Sequence, residues 1–136
     1  MTIKKLIPAA LAIAALASAI PAIAAHDRGA NTKGEAKLAQ ILAGRVPGKP
    51  VRCLDSFQRR NLEVVDRTAL VFKDGNTYYV NRPAGANFLT WSDVPVFKIW
   101  GDQLCSLDTV HLRDRSSGMP GATLSLSEFV PYRRAG

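Results

Sequence analysis

Hydrophobic and polar positions change their period once along the chain. In EAKLAQILAG, residues 35–44, Leu38, Ile41 and Leu42 recur near helical spacing, with Ala36 and Ala39 beside them. Thr32 followed by Glu35 has the spacing of a capping box, and Gly44 stands where a helix would end in a left-handed residue. This predicts a helix of about two to three turns, too short to persist alone and so docked on the rest. RVPGKP, with two prolines and a glycine, reads as a break. From Val51 onward the period is two. VRCLDSF sets Val51, Cys53 and Phe57 on one face and Arg52 on the other. RTALVFKDGNTYYVNRP holds two β-rich runs, Thr68–Lys73 and Thr77–Asn81, around Asp74-Gly75-Asn76, the turn chemistry of a hairpin. AGANFLTWSD reads as a loop with a helical turn begun at Ser92, and VPVFKIW as another strand. LCSLDTVHLRD continues as one or two strands, with Val110 and Leu112 on one face and His111 and Arg113 on the other. RSSGMPGA is a turn, and TLSLSEFVPYRR a last strand carrying Leu124, Leu126 and Phe129. Strands at this spacing predict a mainly β fold, a small antiparallel barrel or sandwich with one short N-terminal helix.

The first residues follow a different logic. MTIKK is a short positive region, LIPAALAIAALASAI an apolar run, and Ala22-Ile23-Ala24 an A-x-A cleavage pattern, the three parts of a secretory signal peptide in order. The rival reading is an uncleaved anchor, since Leu6 to Ala25 approaches the length of a span. Pro8, Pro21 and the alanine-heavy composition argue against it, and no cysteine follows to carry a lipid. The expected organisation is a cleaved signal over 1–25, a mobile leader and short helix over 26–50, and a β-rich domain over 51–136. No transmembrane span is expected after processing. Cleavage takes Lys4 and Lys5 with it and lowers the net charge from +7 to about +5 on about 111 residues, enough for one domain with one core.

Export changes the reading of the cysteines. Cys53 and Cys105 are the only two in the chain, and an even pair in an oxidising compartment reads as a structural disulfide. The alternative is a free Cys105 thiolate served by His111. A Cys–His pair needs hydrogen-bond reach and a third group orienting the base, and sequence spacing supplies neither. The disulfide is the expectation.

Candidate chemistry is thin. His111 is the single histidine of the folded part, and no HExxH, CxxC or GxSxG pattern accompanies it, so no metal site or serine nucleophile is indicated. His26 would become the amino terminus if cleavage followed Ala25, and a terminal amine with its imidazole can hold copper. The A-x-A pattern favours cleavage after Ala24 instead, and no metal or other cofactor is expected. The acids Asp55, Asp66, Asp102 and Asp108 could contribute to a carboxylate pair. An enzyme reading rests on Asp55, Asp102, Asp108 and His111. For binding, the candidates are Tyr78, Tyr79, Arg82 and Trp91, a stacking patch for a sugar or peptide. After the expected signal, adjacent basic residues occur only as Arg59-Arg60 and Arg133-Arg134. These are short of a nucleic-acid arm, so nucleic acid is not an expected partner. An anionic component of the cell envelope or another exported protein suits the basic surface better.

The stretches VRCLD, YYVNRP, LCSLDTVHLRD and SLSEFVPYRR resemble those of short, exported, uncharacterised bacterial proteins with paired C-x(1–2)-D elements around a hairpin. The resemblance spans about Val51 to Arg134. It implies a periplasmic or secreted, disulfide-bearing domain and supplies no catalytic residue. The function expected is therefore a small, exported, non-catalytic binding protein, with a small periplasmic enzyme as the alternative.

Overall fold

The computed structural model describes residues 31–136. The expected signal segment, the first part of the expected leader and His26 lie outside the described residues. Helix α1 spans Thr32–Ile41 and so begins inside the stretch read as leader. Its cap position is Asn31, not Thr32, and no side chain caps it. The Asn31 amide is used elsewhere, donating to the Asp66 carbonyl at 2.8 Å. The Glu35 carboxylate likewise leaves the helix end for Arg82, at 2.9 Å from Nη2, so the expected capping box does not form. Gly34 lies where the helix meets the chain after β3 (Asn61–Val65). A Cβ there would overlap the Thr68 hydroxyl and the Asp66 carbonyl, so only glycine permits this approach.

RVPGKP is more than a break. Its first half is β1 (Arg45–Pro47), paired antiparallel with β10 (Phe129–Arg134). Proline is tolerated there because β1 is an edge strand with no ladder on its far side. The sheet runs β1-β10-β5-β4-β3 and is antiparallel throughout, with β4 (Ala69–Asp74) and β5 (Thr77–Asn81) at its centre. The β4–β5 hairpin forms as read, with Asp74 paired to Thr77 and Gly75 at φ 53° in the turn. β3 was not anticipated; it forms from NLEVV.

A second sheet runs β6-β8-β9, from β6 (Asp93–Phe97), β8 (Thr109–Asp114) and β9 (Pro120–Ser125). Instead of a helical turn at Ser92, a 3-10 turn forms at Ala86–Phe88. TLSLSEFVPYRR makes two strands, not one, since β9 ends at Ser125 and β10 starts a different sheet at Phe129. A two-residue ribbon joins β2 (Cys53–Leu54) to β7 (Leu104–Cys105).

The packing has three layers. One face of the five-stranded sheet presents Leu70, Phe72 and Tyr79 to Val110, Leu112 and Leu124 of the three-stranded sheet, and Leu54, Leu104, Leu126 and Phe129 complete this core. Phe72 sits 5.8 Å from both Phe97 and Phe129, tilted against one and edge-on to the other. The opposite face presents Val65, Ala69, Val71 and Val80 to Leu38 of α1. Two sheets face to face with a helix behind one of them make an open β-sandwich; no closed barrel forms. Among the described residues no helix is long and apolar enough to cross a membrane.

Candidate functional site

The disulfide is present. Cys53 and Cys105 are direct cross-strand partners in the β2–β7 ribbon, and their sulfurs are bonded. Cys105 therefore carries no free thiol.

The acids that follow each cysteine organise turns. One oxygen of Asp55 accepts from the amides of Phe57 at 2.8 Å and Gln58 at 2.9 Å, and Gln58 Oε1 accepts in return from the Asp55 amide. Asp108 accepts from the Cys105 amide at 2.7 Å. Each C-x(1–2)-D element is thus a carboxylate closing the loop beside the bridge, which is local backbone chemistry. Phe57, placed by alternation on one face with Val51 and Cys53, is exposed because the Asp55 turn carries it off the strand. Asp102 lies in an exposed loop, where its carbonyl accepts from Arg59 at 3.3 Å. His111 projects from the outer face of β8, opposite Val110 and Leu112, and its Nδ1 lies 3.2 Å from the Thr123 hydroxyl. Asp55, Asp102, Asp108 and His111 do not line the cleft described below. No group of three metal-ligating side chains occurs among the described residues.

The four candidate binding residues are also dispersed. Tyr79 is core, with its hydroxyl accepting from Gln58 Nε2 at 2.9 Å. Tyr78 lies on the helix side of the sheet, half-buried, with the Arg45 guanidinium 3.7 Å from its ring centroid. Arg82 is committed to Glu35, which raises the pKa of the arginine and lowers that of the glutamate through the shared hydrogen bond. Trp91 is the one left for binding. It is 75% exposed and lines an open cleft of the described residues.

That cleft, of about 640 Å³, is assembled from segments distant in sequence. β3 is the last strand of the five-stranded sheet and supplies one wall with residues 61–64. Leu62 and Val64, half-buried, back onto the main core. Arg60 extends the wall, its guanidinium 4.4 Å from the Phe57 ring centroid. Trp91 and Arg115 form the other wall. The Trp91 amide donates to Asp66 Oδ1 at 3.3 Å, and the Arg115 amide to the Ser92 carbonyl at 2.9 Å, so both side chains spring from anchored backbone.

The charge of the cleft is one-sided. Arg60, Lys73 and Arg115 face a single acid, Glu63. Lys73 Nζ lies 2.5 Å from one oxygen of Glu63 and Lys37 Nζ 3.3 Å from the other. The Lys73 hydrogen bond holds the Glu63 carboxyl below its usual pKa, against the opposing effect of burial. Asp114, adjacent to Arg115, is turned to its own loop. Its Oδ1 accepts from Ser116 and Ser117, and these bonds, led by the Ser116 hydroxyl, lower its pKa to about 2. What remains is a cationic trough with an exposed indole on its rim. Among the described residues, the backbone of 61–64 makes no hydrogen bond outside the β3–β4 ladder, so the outward edge of β3 is free along the trough. Sequence reasoning found Trp91 alone among the cleft residues. No family model, no curated protein and no solved structure matches the chain.

Proposed function

We propose that this is a small, exported, non-catalytic protein of the cell envelope that binds an anionic partner in the trough between β3 and the Trp91–Arg115 wall. The observation that carries the reading is the charge imbalance of the trough: Lys73 is paired with Glu63, and Arg60 and Arg115 have no ion-pair partner among the described residues. In such a site a bound anion meets uncompensated positive charge, and an exposed indole offers a stacking surface at low entropic cost. Export rests on the amino-terminal signal pattern and is compatible with the disulfide.

The test follows Trp91 fluorescence in a Trp100→Phe background, because Trp100 is also exposed. Inorganic polyphosphate is titrated as a generic polyanion at low and high salt. Saturable binding is expected, weakened at least tenfold by Arg60→Glu with Arg115→Glu and weakened by salt. Binding indifferent to both substitutions would place the anion elsewhere and remove the basis of the proposal.

A further inference from the structure

We infer that the partner in this trough is an extended acidic stretch of another polypeptide, which adds to the five-stranded sheet as a new strand along the outer edge of β3. The inference rests on the anion-binding reading above and deepens it by naming the class of partner. Two independent features coincide at the same place. The first is backbone: β3 ends the sheet, residues 61–64 have no hydrogen-bond partner beyond β4, and the trough follows this edge. An edge strand left open offers alternating donors and acceptors that only another extended peptide can match along its length.

The second is side-chain charge. Arg60 stands at one end of the edge, Lys73 on the neighbouring strand is paired with Asn61, and Arg115 and Trp91 face the edge from across the trough. An incoming strand presents side chains alternately to the two sides. Carboxylates on the helix side of the edge would meet Lys73, and apolar side chains on the other would rest on half-buried Leu62 and Val64, beside Trp91 and Arg115 of the opposite wall. The expected ligand is therefore a segment of about five or six residues in which Glu or Asp alternates with β-branched residues. A second copy of this chain is the other occupant that an open edge admits, and sedimentation distinguishes it from a peptide partner.

The probe is an eight-residue peptide of alternating glutamate and valine, with blocked ends. It is compared with the same peptide N-methylated at alternate residues, in the two alternative registers, and with polyphosphate. Full-length processed protein is used, with Trp91 fluorescence for affinity and amide hydrogen exchange for position. The inference expects the unmodified peptide to bind, one methylation register to weaken it at least tenfold, and slowed exchange of β3 amides in the complex. Polyphosphate is expected to slow none of them. Equal binding of the unmodified peptide and both methylated forms overturns strand addition while leaving the anion site intact. Failure of both peptide and polyphosphate to bind overturns the anion site as well. A concentration-dependent dimer in sedimentation, abolished by Arg60→Glu, would assign the edge to a second copy and likewise overturn the inference.

Discussion

Removing the Cys53–Cys105 bridge tests the fold most sharply. The bridge closes a loop of 52 residues that contains β3, β4, β5 and β6. In the chain-entropy model, closing a loop of that length stabilises the folded state by about 4 kcal/mol at 25 °C. The ribbon that carries it, β2 with β7, has only two paired positions, so little else holds those strands together. For a domain of this size a loss of that order lowers the melting temperature by about 15–20 °C. Cys53→Ala, Cys105→Ala and the double variant are compared by urea and thermal unfolding under oxidising conditions. Each single variant is expected to lose nearly the whole amount, and the double variant to be no worse than either, because the bond is shared. Losses that add would refute the shared bond as their source, and a loss below about 1 kcal/mol would refute the loop argument.

Three further outcomes follow from particular contacts. Gly34→Ala is expected to destabilise by about 2 kcal/mol or more, since the new methyl overlaps Thr68 and Asp66 where α1 docks; a neutral result in urea unfolding would contradict that docking. His111→Ala is expected to stay within about 0.5 kcal/mol of the parent, because the imidazole is exposed with Thr123 as its one bonded partner, and a loss above about 2 kcal/mol would show it buried. Glu35 and Glu63 are depressed below 4.5 by their basic partners, so their stabilising contribution is present above that pH and is lost as pH falls through the lowered values. The acid side of the stability profile should therefore flatten in Glu35→Gln with Glu63→Gln, and an unchanged slope below pH 4.5 would argue against both pairings.

What could be read from the chain and what could not divide along physical lines. The β4–β5 hairpin was legible because its turn residues and both strands are contiguous. So was β8, where Val110 and Leu112 alternate with His111 and Arg113. The disulfide was legible from the even number of cysteines and the export expected from the amino-terminal pattern. β3 escaped because it begins among the charged and amide residues 58–61, and its turn to β4 places Arg67, not glycine, at a positive φ of 51°. β1 escaped because its proline and the glycine that follows read as punctuation, although an edge strand tolerates both. The division between β9 and β10 lacks glycine and proline. There Asn81, fully buried, makes the corner by bonding Ser127 through both its side-chain oxygen and nitrogen.

The trough was the least legible feature. Arg60 and Lys73 are neighbours across the β3–β4 ladder, Trp91 and Arg115 reach them only because the two sheets meet, and Trp91 alone of the four was marked in the sequence. Tyr78, Tyr79 and Arg82 were attractive as a contiguous aromatic and basic run. Alternation along β5 sends the two tyrosines to opposite layers, and Glu35 of α1 holds the arginine.

The measurement that tests the central claim most directly is a backbone amide chemical-shift map of the processed protein, titrated with the alternating glutamate–valine peptide. The account expects perturbations concentrated at residues 60–64, 73, 91 and 115, saturating together and reduced by salt. Shifts centred instead on the outer face of β8 around His111 and Arg113, or on the cleft formed by Arg45, Tyr78 and Arg134, would contradict it.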